Sequence, residues 1–347
     1  MSPLHLADRL EKTPEPQLPS HPAIETWRSA TSADIDAIHA VVSAADAVDH
    51  PTWTTPRQDV AETFESSHIA PARDTLVAVT AEGEIVATGV SALHPSRAGG
   101  MLSVDLSGAV HPDWRRRGIG TALLRWLDAR AVQQVARSAQ SLENGGSEGR
   151  IKAYVEEPNT DHAAIFAAQG YTAERWFSTM ERNLAQPVDT LDTPDGISVV
   201  PYDRTRDADA LAARNDAFRD HWGSLPSNEE RWQQFVGGEF FRPDLSRMAV
   251  TDDGQIVAFC LASVNEEDFA TLGASHAYID LIGVIRSHRK QGLAPLVIAA
   301  ALEAIKAEGL ERAVLDVDTD SPTGANRLYD SVGFVATQRV VAMVRRL

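Results

Sequence analysis

Two stretches of this 347-residue chain carry the residue types that hold an anion: VHPDWRRRGIGTALL (Val110–Leu124) and VIRSHRKQGLAPLVI (Val284–Ile298). In each, an apolar run passes through a basic, glycine-bearing turn and opens an apolar helix. A strand feeding such a turn leaves several backbone N–H groups unpaired around one point, with the positive end of the helix dipole behind them. The first turn starts at Val110 and runs through Arg115, Arg116, Arg117, Gly118, Ile119 and Gly120 to Thr121. The second starts at Val284 and runs through Arg289, Lys290, Gln291, Gly292 and Leu293 to Ala294. Glycine or alanine suits the positions of closest approach, because a larger side chain would keep phosphate oxygens off the amides. Neither turn is a Rossmann fingerprint, since the third glycine is missing and the turn follows the fourth strand of its unit. Neither is a P-loop, since no Gly-Lys-Ser/Thr follows.

The elements that must position these turns occur twice in the same order. From Glu25 the pattern reads strand, helix with Ser32 as its cap, short helix, three strands, basic turn, long helix Gly118–Ala136, strand, short helix, strand. It begins again at Ile197, past the proline-flanked acidic segment QPVDTLDTPDG. The chain therefore reads as a tandem duplication of one α/β unit, the natural arrangement for a length that exceeds one core. The expected parts are a flexible N-terminal arm over 1–23, a first domain over 24–184, a linker over 185–196 and a second domain over 197–347.

Composition narrows the partners. A formal net charge of −17 opposes a nucleic-acid backbone and favours a cationic or amine-bearing small molecule. Cys260 is the sole cysteine, so no internal disulfide or cysteine metal cluster is available, which suits a reducing cytoplasm. No membrane-spanning run or signal peptide is read, and the eleven histidines include no H-E-x-x-H and no close pair at helical spacing, so no metal is expected. GGSEG (Gly145–Gly149) matches a hydrolase nucleophile elbow in letters only; a helix precedes it and a strand follows, so it reads as a mobile loop.

Strand, Arg/Gln-x-x-Gly-x-Gly/Ala turn, long helix, strand and a short helix ending LYDSVGF together resemble the GCN5-related N-acetyltransferase (GNAT) superfamily, over nearly the whole chain as two copies. The resemblance implies, for each half, a mixed, mostly antiparallel sheet flanked by helices and splayed between its fourth and fifth strands. It also implies that the turn holds the diphosphate of acetyl-coenzyme A, the co-substrate, and that Ile282, Gly283 and Val284 lie along its pantetheine arm. The superfamily places an asparagine near that arm at the start of the last helix. Asn159 stands there in the first half, and Ser321 in the second.

The reaction so implied is transfer of an acetyl group to a primary amine. An alkylammonium of pKa about 10.4 must lose a proton before attack, a cost of roughly 4.6 kcal/mol at pH 7 without assistance. The resemblance implies a base on the strand before the turn, at Asp280 or Tyr278, and a proton donor for the departing thiolate at Tyr329, four residues before Gly333-Phe334. The first half has Leu106, Val104 and Phe166 at the same points, so chemistry is expected in the second half alone. Period-two alternation would put Tyr278, Asp280 and Ile282 on one face. The plainer alternatives are Tyr329 as a packing aromatic and Asp280 as a buried carboxylate paired with an arginine. Phe218, His221, Trp222 and Trp232 are candidate acceptor-pocket residues, with Asp220, Glu229 and Glu230 near them for a cationic acceptor. A homodimer stays open, and a coenzyme-binding sensor or scaffold without turnover is the alternative function.

Overall fold

Why the repeat folds as it does is visible at its first helix. Arg28 grips Asp34 through both guanidinium nitrogens at 2.7 Å, and Asp34 accepts from the Thr31 N–H at 2.8 Å. The cap therefore lies on Thr31 and Asp34, with Ser32–Asp34 a 3₁₀ turn leading into the helix, and the expected Ser32 cap is replaced. The computed structural model describes residues 5–11, 13–50, 53–142, 145–189, 191–320 and 324–347.

Twelve strands are present among the described residues: β1 (Thr26–Arg28), β2 (Thr75–Val79), β3 (Ile85–Leu93), β4 (Met101–Val110), β5 (Glu148–Glu156) and β6 (Thr172–Asn183), then β7 (Ile197–Pro201), β8 (Arg247–Thr251), β9 (Ile256–Ser263), β10 (His276–Val284), β11 (Arg312–Asp318) and β12 (Val335–Arg346). The helices are α1 (Leu6–Arg9), α2 (Ile35–Asp49), α3 (Arg57–Glu65), α4 (Pro71–Asp74), α5 (Ile119–Gln140) and α6 (Thr160–Ala168), then α7 (Asp207–Ala217), α8 (Glu229–Gly237), α9 (Asp268–Leu272), α10 (Leu293–Ala307) and α11 (Ala325–Ser331).

The chain divides into Met1–Glu174 with Val341–Leu347, and Arg175–Val340. In the first unit β1 to β4 are antiparallel neighbours in chain order, β5 runs parallel to β4, and the end of β12 lies beside β5, with the Leu347 N–H donating to Gly149 O at 2.9 Å. In the second unit β7 to β10 are antiparallel and β11 is parallel to β10. The partner of β11 on its other side is β6, paired antiparallel from Asp318↔Phe177 to Arg312↔Asn183.

The two repeats have thus exchanged their last strands. The expected boundary at 184–185 moves to 174–175, because the backbone groups of 177–183 are committed to β11, and the C-terminal segment belongs with the first half. The described part of the N-terminal arm is docked, not free: Leu6 is fully buried, the Ala7 N–H donates to Gly145 O, and Glu15 meets Gln133 and Arg137. That contact also fixes Gly145 and Gly146 in a left-handed turn ahead of β5.

In both units the parallel pair parts early. β4 holds β5 only from Met101↔Glu148 to Asp105↔Lys152, and β10 holds β11 only from His276↔Arg312 to Tyr278↔Val314. Beyond these points the facing strand edges are unpaired with each other, and the basic turn follows.

A single glycine sets how closely the second unit's first helix approaches its sheet. A Cβ on Gly283 would stand 2.4 Å from Phe259 Cζ and 2.9 Å from Ala217 Cβ at the end of α7. Gly283→Ala must therefore push α7 off β10 or displace the Phe259 ring. A loss of about 1–3 kcal/mol is expected, read by thermal or urea unfolding.

Candidate active site

Both turns share one backbone course. After a 3₁₀ turn (Pro112–Trp114 or Arg286–His288) comes an extended arginine, then a left-handed residue that is not glycine, Arg116 at φ 61° or Lys290 at φ 62°. Gly118 at φ 89° and Gly292 at φ 76° then cap α5 and α10. The same unfavourable torsion at the same place in two copies is strain of about 1–3 kcal/mol each, kept where the backbone must present its N–H groups. In the second unit the first helical N–H to reach an acceptor beyond this turn is Leu296, on Gly292 O, and Pro295 has no N–H. The amides of Leu293 and Ala294 are therefore left over by the helix itself. In the first unit Ala122 on Gly118 O plays the same part. Orphan amides of this kind fit a diphosphate in both copies.

The arginines that open the turns face inward. Arg115 donates from Nε to Val110 O at 3.0 Å and from both terminal nitrogens to Asp49 at 2.9 and 2.7 Å. Arg289 donates to Ala217 O at 2.8 Å and to Asp220 at 3.1 Å, and Arg286 reaches Asp220 as well. Each arginine ties the strand end, the turn and the first helix together, so its side chain braces the anion site instead of lining it. Asp220 is consumed by this bracing and is not available to an acceptor, contrary to expectation. Asp49 and Asp220 were not foreseen as partners; their signal is the Asp-His dipeptide, Asp49-His50 at the end of α2 and Asp220-His221 just past α7. In the first unit His50 Nδ1 lies 3.1 Å from Glu156.

Arg116 pairs with Asp161 at 2.8 Å, Arg117 lies over the Trp114 ring, and His21 Nε2 meets Arg117 O at 2.7 Å beside Gly118. Ile119 is buried under the helix start, while Gly120 and Thr121 belong to its first turn. Lys290, Gln291 and Gly292 are exposed, and Leu293 is buried. Asn159 caps α6 by accepting from the His162 N–H at 3.2 Å and donates to Asp49 at 3.1 Å. Ser321 lies outside the described residues. The asparagine that serves the end of β11 is Asn326, donating to Asp318 O at 3.0 Å and Thr319 O at 3.1 Å.

Asp280 sits on a β-bulge. The β9–β10 register passes from Ile279↔Ala262 directly to Leu281↔Leu261, so Asp280 is the extra residue. The bulge inverts the alternation: Tyr278, Leu281 and Gly283 share the face that meets α7, whereas Ile282 turns to the opposite face with Ile279. The expected common face of Tyr278, Asp280 and Ile282 is thus broken at Ile282. Asp280 Oδ2 is closed to solvent and has no hydrogen-bond partner. Burial raises its carboxyl to about 7, only partly opposed by Ser263. No arginine offsets the charge, so the alternative of a paired structural carboxylate does not hold.

Tyr278 donates its hydroxyl to Asp316 at 2.8 Å, and Thr179 donates to the other oxygen of Asp316 at 2.6 Å. Burial, and then the Asp316 and Asp280 carboxylates, push the phenol well above its usual value. Tyr278 is therefore a fixed donor and not a base. Asp316, which strand patterning alone did not single out, is the carboxylate it serves.

Tyr329, on α11, is buried in the second unit's core with its ring 6.1 Å from Phe334. Burial and the neighbouring Cys260 raise its phenol, so it stays protonated through neutral pH. Phe166 repeats this placement against Tyr171 at 5.2 Å without a hydroxyl. Cys260 is fully buried and its thiol is likewise raised, by burial and by Asp280, which makes it core and not a nucleophile. Of the expected pocket aromatics, Phe218 and His221 lie 5.5 Å apart and Trp222 faces Phe177 at 6.2 Å. Trp232 is core, packed on Phe235. Among the described residues no group of three His, Cys, Asp or Glu side chains is arranged to hold a metal, and no helix is long and apolar enough to cross a membrane.

Residues 208–334 match the acetyltransferase (GNAT) family and residues 72–173 an acetyltransferase (GNAT) domain. Mycothiol acetyltransferases are similar in sequence. That of Salinispora tropica is 28% identical over 289 residues, covering 80% of this chain and 85% of the relative. That of Thermobispora bispora is 30% identical, covering 65% of this chain and 70% of the relative. Among solved structures, a GCN5-related N-acetyltransferase from Sphaerobacter thermophilus superposes with a TM-score of 0.66 at 24% identity, covering 92% of this chain and 95% of that one. A tandem GNAT protein from the clavulanic acid biosynthesis pathway gives 0.64 at 18% identity, covering 92% and 98%. The tandem layout, similar to that of mycothiol synthase, is thus shared with proteins named for acetyl transfer, and the reading as a non-catalytic sensor gives way. With two matching domains in one chain and a relative at 30% identity, the protein belongs to the GNAT acetyltransferase family as a tandem-domain member.

Proposed function

We propose that the chain is an acetyl-CoA-dependent N-acetyltransferase that acts on the primary amine of a small molecule, with its chemistry in the second half. The observation that carries this is Asp280: a carboxylate oxygen sealed from solvent, without a partner, raised to about 7, at the point where β10 leaves β11. The first half's β4 pairs with β3 without such a bulge, Leu106 lying opposite Ser91 in regular register. The relatives named for mycothiol make an acceptor of that kind one member of any test panel.

When bound, acetyl-CoA supplies an activated acetyl thioester. Its diphosphate would be held by the amides from Lys290 to Ala294 and its arm by the parted edge of β10 at Leu281–Val284. Asp280 accepts the proton of the incoming ammonium. The amine nitrogen forms its bond to the acetyl carbon as the carbon–sulfur bond breaks, Tyr329 gives its proton to the departing sulfur, and the second proton shed by the acylated nitrogen returns to the Tyr329 oxygen. Free backbone N–H groups along the parted strand serve the thioester oxygen as charge gathers on it. A base near pH 7 removes the proton at little cost to its own ionisation, which is what such a role requires. Because attack is direct, no acylated side chain is needed. Asn159 and the intact first turn support coenzyme binding by the first half in a structural or regulatory role.

Two variants test this. Tyr329→Phe keeps the ring against Phe334 and removes only the hydroxyl, so kcat for thiol release should fall at least tenfold with acetyl-CoA affinity retained. Unchanged kcat would remove Tyr329 from the reaction. Asp280→Asn should lose turnover yet stabilise the fold. The ordinary aspartate pKa is about 3.9 and the folded one about 7, so the native state is penalised as pH rises between them and the penalty is level above. The stability gained by Asp280→Asn should therefore open from about pH 4 to about pH 7 and reach roughly 2–4 kcal/mol, read by thermal unfolding across pH.

A further inference from the structure

The face of the second unit's sheet that carries Asp280 holds more negative charge than one general base needs. Val314 lies opposite Tyr278 in the parallel ladder, so Asp316 and Asp318, two and four residues on, share the face of Tyr278. Opposite them on β6 are Thr179 and Phe177. Asp316 is exposed, and its two oxygens are pinned by the Tyr278 and Thr179 hydroxyls at 2.8 and 2.6 Å, which fixes the carboxylate without neutralising it. Asp318 is 1% exposed, and its Oδ2 makes no hydrogen bond although Arg175 Nε stands 3.4 Å away. Asp280 Oδ2 is sealed and unpartnered on the neighbouring strand. The guanidinium of Arg175 is shared among Asp318, Asp320 and the Trp222 ring, and among the described residues no ion pair reaches Asp316.

Asp316 thus holds two neutral donors, Asp280 keeps an unpartnered oxygen, and Asp318 has Arg175 for its cation, so the charge of Asp316 is left uncompensated. The first half lacks the arrangement: aligned on Arg150 and Arg312, it has Tyr154 at the position of Asp316. Building on the function proposed above, we infer that Asp316 docks a second ammonium group of the acceptor while Asp280 serves the reacting amine, so that the acceptor class is a diamine or longer polyamine. Tyr278 and Thr179 are positioning residues for Asp316, holding its carboxylate towards the acceptor.

Acetyl transfer from acetyl-CoA is measured for 1,4-diaminobutane, 4-amino-1-butanol and butylamine at pH 7.5, on the full chain. The diamine should exceed both single amines at least tenfold in kcat/KM, chiefly through KM. Asp316→Asn should cut that ratio at least fivefold, and Asp316→Glu should restore most of it. Should Asp316→Asn fold poorly, inhibition of the unmodified enzyme replaces it: N,N,N′,N′-tetramethyl-1,4-diaminobutane should compete with the amine at least tenfold more strongly than N,N-dimethylbutylamine. Acetylation of single amines as efficient as that of the diamine, or an unchanged ratio in Asp316→Asn, overturns the inference and leaves the acetyltransferase reading standing. No transfer to any amine, mycothiol-type acceptors included, overturns that reading and this inference with it.

Discussion

Three ladder positions, His276 to Tyr278 against Arg312 to Val314, are all that join β10 to β11, and everything in the second half's site follows from the parting beyond them. Past Tyr278 the backbone of β10 has no strand partner on that side. Its polar groups are open for a bound molecule, and the cost of leaving them open is met only if something occupies the gap. The parting also frees β10 to take an extra residue against β9. That residue is Asp280, and the low-dielectric pocket in which the bulge leaves it is what lifts its carboxyl into the neutral range. Gly283 lets α7 close on the same strand, so helix, bulge and turn are held at one short stretch.

The duplication separates the structural requirement from the chemical one. Both copies keep the parted strands, the left-handed residue before the helix cap, the inward arginine and the aspartate that receives it. Only the second has an unpartnered carboxylate oxygen on its fourth strand and a tyrosine on its last helix; the first copy's Asp105 is paired with Lys152 at 3.1 Å. Where the second copy has Tyr329 the first has Phe166, and its unbroken β4 offers no bulge residue to match Asp280. The turn thus has an architectural use in both copies, since the arginine bracing ties three elements together whether or not an anion is present.

Much of this was legible in the residues, and the limits have physical causes. The turns could be read because a positive-φ helix cap needs glycine and an anion needs bare amides. Tyr329 could be found by counting from Gly333, where a left-handed residue at φ 85° ends the helix. The bulge at Asp280 could not, because nothing in IDLIG distinguishes an extra residue from regular alternation until its partner strand is known. The inward course of Arg115 and Arg289 was hidden for a related reason: their acceptors, Asp49 and Asp220, are distant in sequence. The exchange of last strands was equally hidden, since β6 and β12 present similar alternating patterns and either would pair with β5 or β11. Asp316 passed as the polar side of a strand, and only its two hydroxyl donors mark it out.

The proposed mechanism requires Asp280 to be ionised when the amine is deprotonated. The pH dependence of kcat between pH 5 and 9, at saturating acetyl-CoA and amine, tests this most directly. A limb that rises about tenfold per pH unit and levels near pH 7, and that is absent in the residual activity of Asp280→Asn, is the result expected. A limb of the same midpoint in Asp280→Asn, or a flat profile in the unaltered protein, would contradict the assignment of the base and with it the mechanism built on the parted strands.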